Sequence, residues 1–265
     1  METRATKSAT GFRLDPGLIL FALAIIALGV QNVISAKDVT QAMGDGYNVL
    51  PVLPFLPSIP WLAYVFGAVW VALGAGLLFQ RTLLPSALAL GTILFLCAVI
   101  LEAPKNAANI RDVGLRTAVF EPLAMASLAW LLPGAAAIPR FLALAARWIF
   151  AVSLVVFGVD HFLVFQFIAG LVPSWIPWHA FWSAFFGVAF IAAGIGIALN
   201  ILARWGYAGI ALMFGIWVVT LHLPRVLGLY RIPGAPRDPS EWSSLFIAVS
   251  LWGGSWSLAR RLLPS

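Results

Sequence analysis

The sequence is poor in charge. Only 10% of its 265 residues are Asp, Glu, Lys or Arg, whereas soluble globular domains average about a quarter. The hydrophobic share is 62%, enough for about eight segments of the ~20 residues that a transmembrane helix needs. These proportions exclude an ordinary soluble domain. They predict an all-α, polytopic membrane protein with eight transmembrane helices.

Residues and motifs that carry common chemistries are also scarce. The single cysteine, Cys97, excludes an intrachain disulfide and any CxxC redox or zinc motif. No glycine-rich phosphate loop, HExxH or GxSxG motif occurs. His161 and His222 could ligate a haem iron from two helices, but nothing in their spacing requires it. The sequence therefore indicates no metal site and no catalytic residue, and it leaves open whether the protein is an enzyme.

Long, continuous apolar stretches mark the predicted helices. Because these stretches show no alternation of period two, they favour helices over the strands of a membrane barrel. They cover residues 17–36, 61–80, 82–101, 117–138, 141–159, 179–203, 205–223 and 242–259.

The net charge of +6 is unevenly divided between the two ends of these helices. The side that holds the amino terminus has nine Lys or Arg residues and two acids, and the other side has seven and eight. Because cytoplasmic loops of membrane proteins carry the excess of Lys and Arg, both termini are predicted to be cytoplasmic. The positive charge is thereby explained without a nucleic-acid partner.

Comparison of the chain with itself indicates a tandem duplication. Residues 61–130 align with residues 181–250 at a constant offset of 120. The matches include Phe66-Gly67 with Phe186-Gly187, Gly74 with Gly194, Gly76 with Gly196, Pro104 with Pro224, Lys105 with Arg225, Arg111 with Arg231 and Glu121 with Glu241, and upstream Gln31-Asn32 with Asp160-His161. Four helices per copy is an even number, so both copies enter the membrane in the same direction and form two parallel four-helix bundle repeats.

The duplication divides the chain into five segments. The linker between the two repeats is rich in proline, glycine and alanine. The segments are a cytoplasmic tail (1–16), a first repeat (17–132), a linker (133–140), a second repeat (141–259) and a carboxy-terminal tail (260–265).

Polar residues gather on the predicted outer side and form the candidate ligand-binding site. Ionisable groups near hydrocarbon are costly unless they are paired, so we expect them to face the bundle interior or a watery vestibule. The candidates are Asn32, Lys105, Glu121, Asp160, His161, His222, Arg225 and Glu241.

Several pairings are expected among these residues. Lys105 is predicted to pair with Glu121, Arg225 with Glu241, and Asp160 with a histidine or an arginine. Purely structural alternatives remain open, because Glu241 could complete a helix cap and His161 could form a structural hydrogen bond. The glycines of the second helix in each repeat are predicted to serve helix packing.

Two motifs in the second repeat indicate a family. Residues 158–162 read Gly-Val-Asp-His-Phe, and residues 169–177 follow the pattern A-x-x-V-P-x-W-x-P. With Leu221-His222-Leu223-Pro224 at the end of a later helix, they resemble the DoxX family of small bacterial membrane proteins. Glu102-Ala103-Pro104-Lys105-Asn106 takes the equivalent place in the first repeat, where Gln31-Asn32 replaces the His-Phe pair.

The resemblance implies a four-helix unit, so this chain is similar to a fused pair of such units in a bacterial inner membrane. Named family members include a subunit linked to thiosulfate:quinone oxidoreduction and partners of redox-defence enzymes. The implied function is a redox-associated subunit with a quinone- or lipid-type ligand at the outer face, and with a redox enzyme or a second copy as partner in the lipid bilayer. A non-catalytic scaffold or small-molecule and lipid-binding protein is the alternative, and a small-solute transporter is the third hypothesis.

Overall fold

A computed structural model describes residues 15–34, 60–229 and 240–262. Every regular element within these ranges is helical, and none is a strand. The helices are α1 (Pro16–Ile34), α2 (Pro60–Gly76), α3 (Gln80–Ala108), α4 (Val113–Leu131), α5 (Arg140–Leu163), α6 (Phe165–Leu171), α7 (His179–Ala198), α8 (Ala203–Val226) and α9 (Ser240–Arg261). The all-α prediction is confirmed, whereas most of the two predicted tails lies outside the described residues.

Five of the described helices, α1, α3, α5, α7 and α8, are long and apolar enough to cross a membrane. The mean hydropathy of their most apolar windows lies between 1.7 and 2.4. Helix α2 is apolar but shorter over its described part, Tyr64–Gly76. Charged residues lower the hydropathy of α4, which contains Arg116 and Glu121, and of α9, which contains Glu241. These features are those of a multi-pass helical membrane protein.

The outside of the bundle is apolar. Val152 on α5, Val188 on α7 and Leu212 on α8 are 46%, 58% and 66% exposed. Soluble monomers rarely present such side chains in large contiguous patches. A hydrocarbon environment would cover them.

The helices pack in a regular order. Helix α1 packs most closely against α2 and α9, and α5 packs most closely against α7 and α4. Further contacts join α3 to α4, α7 to α8 and α8 to α9. At the base of the bundle Asp15 caps α1 by accepting a hydrogen bond from the Leu18 amide, and the Ser257 hydroxyl of α9 donates to the same carboxylate at 2.9 Å. The first and last described helices are thereby joined.

Two glycine contacts bring neighbouring backbones together. A Cβ on Gly29 would lie 2.6 Å from the carbonyl oxygen of Gly67, and a Cβ on Gly158 would lie 2.6 Å from that of Gly187. Only glycine fits at this distance, so the prediction that Gly67 and Gly187 serve helix packing is confirmed. Because Gly158 lies two residues before Asp160, the second contact holds the end of α5 against α7.

Helices α3 and α8 each widen into a π-helical segment before a proline. Cys97–Glu102 precedes Pro104, and Val218–His222 precedes Pro224. A proline ring clashes with the carbonyl group of the preceding turn and has no N–H to donate, and a wider turn relieves this conflict. Both helices therefore continue beyond the ends predicted from hydropathy. Helix α3 passes the predicted end at residue 101 and reaches Ala108, and α8 passes residue 223 and reaches Val226.

Candidate functional site

A cavity of about 590 Å³ lies where the carboxyl ends of α5 and α8 meet the first turns of α4 and α9. We call it the polar cavity. Its volume is typical of sites that bind small molecules. Six of the eight residues proposed from the sequence line its wall, namely Glu121, Asp160, His161, His222, Arg225 and Glu241.

The other two candidates, Lys105 and Asn32, are not among the lining residues of this cavity. The Lys105 ammonium group donates to Glu102 Oε1 at 3.0 Å, one turn back on α3. The expected pair of Lys105 with Glu121 is therefore wrong. Asn32 is buried on α1 beside Gly67, where a Cβ would lie 3.3 Å from the Asn32 Cβ.

Asp160 pairs with an arginine that the sequence did not mark as a site residue. Arg116 Nε donates to Asp160 Oδ1 at 2.7 Å, and Arg116 Nη1 donates to the Ile110 carbonyl at 2.9 Å. The Arg116 and Asp160 side chains are only 15% and 6% exposed. The prediction that an arginine could neutralise Asp160 is confirmed. The second carboxylate oxygen, Oδ2, is buried and has no hydrogen-bond partner in the described part of the chain.

His161 presents a free nitrogen. Its Nδ1 lies 2.7 Å from the Phe157 carbonyl oxygen, which can only accept, so Nδ1 carries the proton. In the neutral ring the lone pair is then on Nε2. His161 is only 6% exposed, and its Nε2 is buried without a partner among the described residues. His161 lines the polar cavity, so this unsatisfied acceptor is the atom of the residue that a hydrogen-bond donor from a ligand would satisfy.

Aromatic rings hold this histidine in place. The Trp217 ring stacks on the imidazole with 5.6 Å between centroids and 16° between planes, and Phe190 lies 5.2 Å away at a tilted angle. Both aromatic residues also line the polar cavity, together with Phe157 and Phe214. The free nitrogen therefore sits beside flat apolar surfaces that suit a planar ligand head.

A second ion pair joins α8 to α9. Arg225 Nη2 donates to Glu241 Oε1 at 2.8 Å, as predicted. Glu121, which matches Glu241 in the sequence alignment, also lines the cavity but forms no ion pair with any described residue. His222 lies on the π-helical segment of α8, and segments of this kind are frequent at functional sites.

These pairs determine the charge of the cavity wall. Arg116, which does not itself line the cavity, neutralises Asp160, and Arg225 in the wall neutralises Glu241. Glu121 is the third carboxylate of the wall and has no ion-pair partner among the described residues. No cluster of three or more His, Cys, Asp or Glu side chains within the described ranges could hold a metal ion. The polar cavity can therefore offer hydrogen-bond acceptors, an aromatic wall and one free carboxyl group.

Sequence reasoning missed Arg116 and the aromatic residues. The apolar stretch of this helix begins at residue 117, which leaves Arg116 in a loop. In the structure Asp112 caps α4 by accepting a hydrogen bond from the Leu115 amide, so Arg116 lies in the first turn. Asp112, as a capping residue, was the sequence signal for this earlier helix start. Trp217 lies in a continuous apolar stretch, as lipid-facing tryptophans do, so the sequence alone did not distinguish it from them.

Comparison of the chain with protein-family models, with curated proteins and with solved structures finds no match. The likeness to a family therefore depends on the two sequence motifs of the second repeat.

Proposed function

We propose that the chain is a DoxX-type protein of the bacterial inner membrane, with eight spans in two parallel four-helix repeats and both termini in the cytoplasm. Helix contacts that recur at fixed offsets support the repeat. The contact of Gly29 with Gly67 is matched by that of Gly158 with Gly187, at offsets of 129 and 120 residues. The π-helical segments end at Glu102 and at His222, again 120 residues apart.

A second glycine contact follows the same offsets. A Cβ on Gly74 would lie 3.0 Å from the Ala22 carbonyl oxygen, and a Cβ on Gly194 would lie 2.7 Å from that of Ala151. Ala151 follows Ala22 by 129 residues, and Gly194 follows Gly74 by 120. Two independent contacts with the same pair of offsets favour a duplicated unit over chance packing.

For the polar cavity we propose that it binds the head of a quinone- or lipid-type ligand and that the protein acts as a redox-associated membrane subunit. The observation that carries this proposal is the Nε2 of His161, which is buried without a partner among residues 15–34, 60–229 and 240–262, in a ring that stacks on Trp217. A hydroquinone hydroxyl can donate to that nitrogen while its ring lies against the aromatic wall. A bound quinone would supply two-electron redox chemistry, and Asp160 Oδ2 offers a second acceptor.

Replacement of the histidine tests this proposal. In His161→Phe the stacking surface against Trp217 is kept but Nε2 is lost, and one hydrogen bond to such a group contributes about 1 kcal/mol or more. We expect the purified variant to bind a short-chain benzoquinol about tenfold more weakly than the wild-type protein in an equilibrium binding assay. His179→Phe is the matched control, because His179 does not line the polar cavity, and it should stay within about twofold of the wild-type affinity.

The outcomes are separable. Failure of the wild-type protein to bind the quinol contradicts the proposal, as does an unchanged affinity in His161→Phe. Mass spectrometry of the small molecules and proteins that copurify with the chain would identify the resident ligand and the redox partner.

A second candidate function, a non-catalytic membrane scaffold, is favoured by a different observation. The two ion pairs of the cavity, Arg116 with Asp160 and Arg225 with Glu241, each join two helices. If holding these helices together is their whole role, Arg225→Glu and Glu241→Arg should each impair folding, and the doubly exchanged variant should restore it. The wild-type protein and all three variants should then bind no quinol.

A further inference from the structure

The polar cavity is the first of three adjoining cavities. The second, of about 290 Å³, shares His161 and Trp217 with it. The third, of about 710 Å³, shares Trp182, Phe186 and Ile216 with the second. The three therefore follow one another from the polar site along the surface between α7 and α8.

Polarity falls along this path. Around the second cavity, the hydroxyl groups of Ser183 and Thr220 and the ring of His161 are the polar groups, and the remaining wall is apolar. Only apolar residues and glycines line the third cavity, which we call the α7/α8 groove. A head that needs hydrogen bonds fits the first cavity, whereas the groove suits a hydrocarbon chain.

Small and large residues both line the α7/α8 groove. Ala193, Gly196 and Gly209 are among the small ones. Leu202 and Trp205, which also line it, are 70% and 63% exposed. Large apolar side chains beside small ones leave space in which a chain can lie along the helices.

The groove is long. It extends along α7 from Trp182 to Leu199, which corresponds to about 26 Å at ~1.5 Å per residue. The hydrocarbon core of a bilayer is about 30 Å thick and is shared by two leaflets, so the chain of an ordinary bilayer lipid covers about 15 Å. A chain that starts at the polar cavity must be longer than an ordinary acyl chain to fill the groove.

We propose that the α7/α8 groove holds the apolar chain of the molecule whose head occupies the polar cavity, and that this ligand is a single-chain amphiphile with more than about 20 chain carbons, of polyprenyl type. The length follows from ~1.2 Å per chain bond, since three backbone bonds of an extended peptide span about 3.6 Å. This inference rests on the proposed function. It adds the class of the ligand and the side on which its chain leaves the site.

Two observations besides the shape of the groove support this assignment. His161, whose Nε2 has no partner among the described residues, lines both the first and the second cavity, so a bound head and the start of its chain meet at this residue. The space beside Gly209 in the groove is empty, because a Cβ at this position would meet no atom within 4 Å.

The position of the chain is a better measure than affinity. Lipid tails are as apolar as the groove, so a chain gains little free energy by moving from bilayer to protein. The probe is therefore a benzoquinone with a chain of about 24 carbons, long enough at ~1.2 Å per bond to cover the groove. One version carries a photoreactive diazirine next to the head, and the other carries it at the end of the chain.

After reconstitution and illumination, mass spectrometry locates the labelled residues. We expect the head-proximal diazirine to label the region of Ile216–Leu221 and the terminal diazirine to label Leu199–Trp205, at the opposite end of α8. A terminal label spread evenly over the exposed apolar surface, as for a bulk phospholipid carrying the same group, would overturn the proposal.

A blocking substitution separates the groove from the polar cavity. Gly209→Leu adds a side chain to the lining of the groove at a position where the Cβ meets no atom within 4 Å, and it also raises helix propensity. Gly170→Leu is the matched control, because a Cβ on Gly170 also meets nothing within 4 Å and Gly170 lines none of the three cavities. We expect Gly209→Leu to lower terminal labelling by at least about fivefold and to leave short-chain quinol binding within about twofold of the wild-type value.

Two failures can then be told apart. If Gly209→Leu leaves terminal labelling unchanged while the short-chain quinol still binds, the groove assignment is wrong and the proposed function stands. If the wild-type protein binds no short-chain quinol, the proposed function itself fails.

Discussion

Arg116 on α4 forms a hydrogen-bonded ion pair with Asp160 on α5, which lines the polar cavity, with 2.7 Å between Arg116 Nε and Asp160 Oδ1. The pair is mostly buried, and it joins the last helix of the first proposed repeat to the first helix of the second. It fixes the end of α5 from one side, while the contact of Gly158 with Gly187 fixes it from the other. The position of His161 depends on both.

Loss of one partner of this pair should be costly. Arg116→Leu or Asp160→Leu leaves one buried charge without its counterion, and we expect each to lower the free energy of unfolding by about 3–5 kcal/mol. The double variant removes both charges and should be clearly more stable than the sum of the single losses predicts. Equilibrium unfolding in mixed micelles of increasing SDS content measures this coupling, and strictly additive losses would contradict a direct pair.

The pair of Arg225 with Glu241 allows a charge exchange, because both side chains are about 20% exposed. We expect Arg225→Glu and Glu241→Arg each to reduce the yield of monodisperse protein through like-charge repulsion across 2.8 Å. The doubly exchanged variant should recover much of that yield. Size-exclusion chromatography with a fluorescent fusion measures the yield, and the absence of any recovery would count against the pair.

The glycine contact at the end of α5 should not tolerate a methyl group. In Gly158→Ala the new Cβ meets the Gly187 carbonyl oxygen, and overpacking of this kind typically costs about 1–3 kcal/mol. Gly170→Ala is the control, because its Cβ meets nothing within 4 Å and alanine is the better helix former by up to about 1 kcal/mol. Thermal unfolding of the purified variants should place Gly158→Ala below the wild-type protein and the control at or above it.

Parallel repeats predict that equivalent loops lie on one side of the membrane. Cys97 is buried and is the single cysteine, so a Cys97→Ser variant gives a background for labelling. Asn109 and Leu229 are exposed and 120 residues apart. We expect Asn109→Cys and Leu229→Cys to react with an impermeant maleimide in intact cells, and Arg140→Cys to react only after permeabilisation. Labelling of Asn109→Cys and Leu229→Cys from opposite sides would exclude the parallel arrangement.

The sequence predicted helices well where hydropathy decides their limits. The first helix was expected over residues 17–36 and is present over Pro16–Ile34, and the sixth was expected from residue 179, where α7 begins. It did less well where a polar residue or a proline interrupts an apolar run. Helix α5 continues past residue 159 to include Asp160 and His161, because Arg116 and the Phe157 carbonyl each satisfy one polar atom of these side chains, Asp160 Oδ1 and His161 Nδ1, inside the bundle.

The candidate site could be predicted only in part. Charged groups close to hydrocarbon are rare enough to identify six lining residues from the sequence alone. Their partners depend on how α4 rotates against α5, and a single sequence does not specify this rotation. Thus Lys105 was assigned to Glu121, although Glu102 is one helical turn away from it and requires no tertiary contact.

The close packing of α1 against α9 has a consequence for biogenesis. Helix α9 is the last of the described helices to leave the ribosome, and it supplies Glu241 and Leu251 to the polar cavity. The polar cavity is therefore incomplete while the nascent chain is being inserted. Until α9 arrives, the face of α1 around Gly17, where a Cβ would lie 2.5 Å from the Gly253 carbonyl oxygen, also lacks the helix that covers it. The ligand proposed for the cavity would then be loaded only after α9 is in place.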